Sequence, residues 1–231
     1  MQKKKKVLKN RHLLIDPQCW LYDFVKITGA LGVLIYFRLK VYYTSGKKPK
    51  GFYRGKYLGF SNHISMLDPI IMLNAFWRRR LFIVCTEELF KMKFWGPFFR
   101  NIGCIGIDKQ NPSVATFKDI KEKYRRGHVV GIFPEGKISD NSETSEYKSG
   151  VAMIAILNDC PIIPMYIVPR KSFWHRQVII MGDKINCRDY LKGPLPTMEE
   201  IKQITDLLHQ KETELMQYAE MKMNKKGDKN E

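Results

Sequence analysis

Tyr57-Leu58-Gly59-Phe60-Ser61-Asn62-His63-Ile64-Ser65-Met66-Leu67-Asp68-Pro69 runs from an apolar stretch into a polar loop, and a second apolar stretch, Ile70 to Leu73, follows at once. Tyr57 to Ser61 reads as a buried strand, and Pro69 to Trp77 as a helix. Asp68 suits the N-cap and Pro69 the first helical position, where a missing N–H costs nothing. His63 then lies in a strand-to-helix loop short enough to fold back over Asp68. A carboxylate at a helix N-terminus stays ionised and accepts a hydrogen bond from one imidazole nitrogen. The other nitrogen is left to take a proton from a hydroxyl.

The same alternation continues along the chain. Further strands are expected at Leu81 to Cys85, Ile102 to Ile107, Val129 to Phe133, Ile162 to Val168 and Gln177 to Met181. Helices are expected at Glu87 to Phe94, Ser113 to Arg126, Gly150 to Asn158 and Met198 to Met223, with a frayed tail from Asn224. In the helix after Ser113, Val114, Phe117, Ile120 and Tyr124 recur every three to four residues, and Gly127 is a stop. The fold class is therefore α/β, a mixed sheet flanked by helices. Ligands in such sheets sit at the carboxyl ends of strands, where the His63 loop begins. Phe173-Trp174-His175-Arg176 reads as a hairpin loop between the last two strands.

The chain has 231 residues, 44% of them hydrophobic, enough for one globular body. Its net charge of +17 predicts an anionic partner. Residues 1–56 hold 14 basic side chains against Asp16 and Asp23, so +12 of the charge lies there. Within that segment, Ile27 to Phe37 is uncharged but covers only about 16 Å as a helix, too short to span a bilayer. Trp20, Tyr22, Phe24, Tyr36, Tyr42 and Tyr43 mix with Lys26, Arg38 and Lys40 around it. Residues 18–43 therefore read as an interfacial, monotopic or re-entrant element, with an ordinary core helix as the alternative. Thr44 to Lys56, rich in Gly and Lys, reads as a linker. No secretory signal is expected, because Asp16, Pro17 and Asp23 interrupt the approach to the apolar run.

The five cysteines are scattered and show no C-x-x-C, so neither a disulfide framework nor a zinc site is expected, and a reducing cytoplasm is the simplest setting. Arg78-Arg79-Arg80 reads as a solvated turn. Lys91-Met92-Lys93-Phe94-Trp95-Gly96-Pro97-Phe98-Phe99-Arg100 admits two readings, a second interfacial contact or partly buried aromatics at a helix end. His12, His128, His175 and His209 have no partner at ligand spacing and read as structural.

One His-x-x-x-x-Asp arises by chance roughly once in four such chains, so the pair needs company. Gly131-Ile132-Phe133-Pro134-Glu135-Gly136-Lys137-Ile138 approaches the phosphate loop G-x-x-x-x-G-K-[ST]. Ile138 replaces the magnesium-binding hydroxyl, Pro134 removes a backbone donor and Glu135 sets a carboxylate against phosphate, so this is not a nucleotide loop. Taken with Asn62-His63-x-x-x-x-Asp68, Phe133-Pro134-Glu135-Gly136 instead resembles the first and third sequence blocks of the glycerolipid acyltransferases, most closely the 1-acylglycerol-3-phosphate acyltransferase family. Gly103-Cys104-Ile105-Gly106-Ile107-Asp108-Lys109 is similar to that family's second block and Pro161-Ile162-Ile163-Pro164 to its fourth, in the right order. Two positions depart: Lys109 stands where the family usually has Arg, and Lys137-Ile138 where it has Thr-Arg. Lysine cannot make the planar two-point contact of arginine with phosphate.

The resemblance implies an acyltransferase α/β domain over residues 57–231 behind a membrane-associating segment over 1–56. It implies transfer of a fatty acyl group from acyl-CoA or acyl carrier protein to the hydroxyl of a lysophospholipid, with no metal or other cofactor. His63 is then the general base and Asp68 its orienter, while Asn62, Lys109, Glu135, Gly136 and Lys137 bind substrate. No side chain need be acylated, so Ser65 and Cys104 are structural. Backbone N–H groups of the His63 loop or the Gly136 turn are natural oxyanion donors. The expected partners are the lysophospholipid, the thioester donor and an anionic membrane surface, with the protein peripheral or monotopic on the cytoplasmic side of the cell membrane. Glycerol 3-phosphate, another lysophospholipid or a lyso-aminolipid are alternative acceptors. A non-enzymatic basic membrane- or nucleic-acid-binding protein is the rival class, though no nucleic-acid fingerprint is present.

Overall fold

A computed structural model describes residues 19–108, 114–134, 149–170, 172 and 174–227. It opens with helix α1 (Trp20–Phe37) and strands β1 (Lys40–Tyr43) and β2 (Leu58–Ser61). Helix α2 (Asp68–Ala75), β3 (Leu81–Thr86), α3 (Glu87–Lys91), α4 (Trp95–Asn101) and β4 (Ile105–Ile107) follow. Then come α5 (Val114–Arg125), β5 (Val129–Ile132), α6 (Gly150–Leu157), β6 (Ile162–Ile167), β7 (Val178–Met181) and α7 (Met198–Gly227), with a 3₁₀ turn at Cys187–Tyr190.

The strands form a seven-stranded sheet in the order β1-β7-β6-β2-β5-β3-β4. The five strands from β6 to β4 are parallel, β7 runs against β6, and β1 lies parallel to β7. The sheet is thus mixed, as the alternation of elements predicts. Its central strand β2 is buried along its whole length, as expected of a parallel strand covered on both faces. Leu58 and Phe60 point toward α5, α6 and the first half of α7. Tyr57 points to the opposite face with α2 and the end of α1. Full burial of Leu58 and Phe60 contributes about 1.5–3 kcal/mol each. The second half of α7 covers β7 through Leu215 and Ala219.

Five differences separate the structure from the sequence reading. Residues 40–43, grouped by sequence with the interfacial element, form an edge strand paired with β7 in the register Lys40 to Val178. Four residues beside a longer apolar run carry too little periodicity to stand out. The stretch read as a linker contributes core: Phe52 is buried and the Tyr53 hydroxyl lies 2.8 Å from that of Tyr43. The single helix expected after β3 is two, because Pro97 sits in the first turn of α4, where proline is tolerated. This extra helix shortens the strand expected from Ile102 to Ile107, and Gly103, at φ 82°, turns the chain between them. Helix α7 continues past Met223 to Gly227.

Of the arginine turn, only Arg78 is exposed to solvent as expected. Arg79 is buried, donates to the carbonyls of Tyr53 and Gly127, and lies over the Tyr57 ring. Arg80 forms a two-point pair with Asp23 of α1, at 2.9 and 2.7 Å. Lys26, one turn further along α1, donates to the carbonyls of Trp77 and Arg79, and burial lowers its pKa to about 8. These contacts fix one side of α1 to the body. Its other side leaves Trp20, Phe24, Ile27, Leu34 and Ile35 exposed. No helix among the described residues is long and apolar enough to cross a membrane.

Candidate active site

The site forms at the carboxyl ends of β2, β5 and β6, the position a parallel α/β sheet offers to ligands. Immediately after β2, Asn62 turns inward and is buried. Its amide donates to the carbonyl of Ile167 at 3.0 Å and its oxygen accepts the Ile167 N–H at 2.7 Å. The oxygen also accepts the Ser61 hydroxyl. Asn62, expected among the substrate-binding residues, therefore spends its polar atoms on tying the His63 loop to the end of β6.

His63 and Asp68 meet as their spacing predicts, with His63 Nδ1 2.9 Å from Asp68 Oδ2. A carboxylate only accepts, so Nδ1 carries the proton and Nε2 presents its lone pair. Nε2 makes no hydrogen bond to the described residues, and the imidazole edge remains reachable, with 16% of the side chain exposed. The detail of the expected cap differs. Helix α2 begins with Asp68 itself, Leu67 is the capping residue, and no side chain caps the helix. The carboxylate turns back into the loop instead, where Oδ2 also accepts the N–H groups of Ile64 at 2.6 Å and Ser65 at 2.7 Å. Asp68 is fully buried, and its Oδ1 has no hydrogen-bond partner among the described residues.

These bonds bear on the oxyanion donors. The N–H groups of Ile64 and Ser65 are consumed by Asp68, that of Leu67 by the Ser65 hydroxyl, and that of Asp68 by the Ser65 carbonyl. Ser65 is thereby a loop-shaping residue. Cys104 also lies away from the dyad, hydrogen-bonded to the Cys85 thiol; this contact, helped by Lys123, lowers the Cys104 pKa and raises that of Cys85.

Two contributors were hidden from sequence reasoning. Phe133, the residue after β5, stacks on the His63 ring with centroids 4.4 Å apart and planes 23° apart. It belongs to the Phe-Pro-Glu-Gly block, so the signal lay in the motif, but its partner did not. Gly131 lies beneath Met72 of α2, and a Cβ there would sit 2.6 Å from the Met72 sulfur. The glycine that suggested a phosphate loop thus serves close packing of α2, and with it Asp68, on the sheet. Lys109, Glu135, Gly136 and Lys137 lie outside the described residues, as do Ser113 and Phe173. Asp108, directly before Lys109, follows β4 at the same edge of the sheet as His63.

The fold is an α/β sheet with a carboxylate-oriented histidine at the carboxyl ends of its parallel strands. The chain belongs to the acyltransferase family: the family model described as Acyltransferase matches residues 42–168. That span starts in β1 and contains all four sequence blocks. A 1-acyl-sn-glycerol-3-phosphate acyltransferase of Bacillus subtilis is 27% identical over 158 residues, covering 66% of this chain and 77% of the relative. One of Helicobacter pylori is 32% identical over 110 residues, covering 46% of each. The chain thus spans less than half of some relatives' length, 48% for the enzyme of Borreliella burgdorferi. The crystal structure of the 1-acyl-sn-glycerophosphate acyltransferase PlsC of Thermotoga maritima superposes with a TM-score of 0.57 over 87% of this chain and 81% of that one, at 15% identity. That likeness establishes the fold.

Proposed function

We propose that the protein transfers a fatty acyl group from an acyl thioester, on coenzyme A or acyl carrier protein, to the free hydroxyl of 1-acylglycerol 3-phosphate, giving phosphatidic acid. The observation that carries this reading is the His63–Asp68 contact at a strand end, with the far imidazole nitrogen open. His63 Nε2 takes the hydroxyl proton as the oxygen attacks the thioester carbonyl carbon. The tetrahedral intermediate collapses, the C–S bond breaks, and the imidazolium returns the proton to the departing thiolate. Asp68 holds the tautomer and stabilises the transient imidazolium. With four loop N–H groups engaged internally, the oxyanion falls to the remaining donors, the N–H groups of His63 and Met66 or the turn at Gly136. Lys109 and Lys137 hold the acceptor's phosphate, and Glu135 fixes the turn or an acceptor hydroxyl.

The names of the relatives support this acceptor. The exposed apolar side of α1 and the basic charge around it support a peripheral position on the cytoplasmic face of the membrane, where acceptor lipid is found. One acyl donor offered to a panel of glycerol 3-phosphate, lysophosphatidic acid, other lysophospholipids and lyso-aminolipids, with products read by mass, tests the assignment. Phosphatidic acid as the dominant product supports it. Preference for a neutral or zwitterionic acceptor overturns it.

A further inference from the structure

The hairpin between β3 and β4 carries the most exposed aromatic side chain among the described residues. Phe94 is 83% exposed and its neighbour Trp95 56%, with Met92 half exposed beside them. Neither aromatic belongs to a core cluster. The hairpin is tightly built. Gly96 donates to the Met92 carbonyl at 2.8 Å, a Cβ on Gly96 would lie 2.2 Å from the Phe90 carbonyl oxygen, and Arg100 covers the Phe90 ring. Its tip is therefore displayed by a packed scaffold.

Charge and position point to one occupant. From residue 89 to residue 107 the chain has Lys91, Lys93 and Arg100 and no carboxylate; Glu87 of α3 and Asp119 of α5 line the same cleft as Lys91 and Arg100, which leaves Lys93 beside the Phe94 ring as the cation at the tip. Exposed aromatics with a cation beside them suit the headgroup layer of an anionic bilayer. Helix α3 starts where β3 ends, and β3 is parallel to β5 and β2, so the connection leaves the sheet at the edge that holds His63 before it crosses back to the start of β4, which is parallel to β3. Met66, Leu67 and Ile70, around the His63 loop, are exposed at that edge too.

We propose that the α3–α4 hairpin is a membrane contact in its own right, placing Phe94 and Trp95 in the headgroup layer while α1 makes a separate contact. This rests on the membrane association proposed above, and sets the open edge of the sheet, with His63, toward the lipid. An acidic carrier protein is the competing occupant, but it would be met by the cations and would leave the aromatic tip without a use.

The test uses the full chain with Trp95 as sole tryptophan (Trp20→Phe, Trp77→Phe, Trp174→Phe) and vesicles of phosphatidylglycerol and phosphatidylcholine, with co-sedimentation measured in parallel. Trp95 emission is expected to shift to shorter wavelength and to be quenched by lipids brominated near the glycerol end. In the otherwise native chain, Phe94→Asp is expected to weaken partitioning about tenfold while turnover of acceptor presented as monomers is unchanged. A protein that co-sediments with Trp95 emission unmoved, or a Phe94→Asp chain that partitions as before, overturns the hairpin contact and leaves membrane association standing. A protein that does not co-sediment overturns both. A Trp95 response to acyl carrier protein without vesicles, and none to vesicles, assigns the tip to the carrier and overturns the proposal.

Discussion

Asp68 turns away from the helix it begins and holds His63: one carboxylate oxygen accepts the imidazole Nδ1–H at 2.9 Å together with two loop N–H groups, and the other oxygen is buried without a partner among the described residues. The dyad and the shape of its loop are therefore one structure. Whatever alters the carboxylate moves the imidazole.

Asp68→Asn exposes this coupling. If the amide oxygen keeps the three donors, the NH₂ takes the Oδ1 position, buried with no acceptor, at a cost of roughly 1–3 kcal/mol. The neutral oxygen also stabilises imidazolium poorly. Turnover is expected to fall by roughly 10²–10⁴-fold, with a lowered denaturation midpoint. Steady-state thiol release and urea denaturation on the same preparation check both, and undiminished turnover would show that Asp68 serves the loop alone.

The sequence reached His63 and Asp68 because a six-residue loop between an apolar strand and an Asp-Pro helix start leaves few ways to arrange them. It reached the mixed sheet because each strand is a short apolar run bounded by turn residues. It missed β1, whose four residues merge with the apolar run before them, and it missed the end of α1 at Arg38. That helix stops on a left-handed arginine at φ 44°, with no glycine to announce it. Asn62 read as a substrate ligand because its partner, the Ile167 backbone, is 105 residues away and carries no side-chain signature. The interior use of Arg79 and Arg80 was hidden for the same reason: their partners are distant carbonyls and Asp23 of α1.

Gly131→Ala tests how α2 is positioned. The added methyl meets the Met72 sulfur at 2.6 Å, Ile83 at 3.0 Å and Leu81 at 3.1 Å. Overpacking of this kind costs about 1–3 kcal/mol, and displacing α2 displaces Asp68, so turnover should drop with stability. The double change Gly131→Ala with Met72→Ala should be more stable than the sum of the two single losses predicts. Strict additivity in chemical denaturation would disprove the contact.

The Asp23–Arg80 pair fastens α1 to the body with side chains 10% and 15% exposed. Asp23→Ala leaves Arg80 nearly buried with this partner lost, and is expected to cost roughly 2 kcal/mol, between the values for surface and buried pairs. Asp23→Leu combined with Arg80→Met should recover part of the loss. If Asp23→Ala leaves the denaturation midpoint unchanged, the pair adds nothing to the hold that the Lys26 hydrogen bonds and the apolar contacts have on α1.

Helix α7 starts with a reciprocal cap. Glu200 accepts the Thr197 N–H at 2.8 Å and the Lys192 N–H at 2.8 Å, while the Thr197 hydroxyl accepts the Glu200 N–H. Those backbone donors lower the Glu200 pKa below the usual carboxylate value. A pKa depressed on folding stabilises the native state above the unfolded value and loses that contribution as pH falls through the folded one. Glu200→Gln should therefore melt lower than the parent at pH 7, and the gap should close on acidification. A gap constant with pH would remove the charge from the account.

The most direct test of the central claim is His63→Ala assayed with an acyl-CoA and 1-acylglycerol 3-phosphate, following free thiol and phosphatidic acid together. Both are expected to fall at least about a hundredfold in equal proportion, in a protein shown by its melting transition to be folded at the assay temperature, since the change also removes the stacking on Phe133 and a donor to the buried Asp68. A His63→Ala protein that still makes phosphatidic acid at the parent rate would contradict the account.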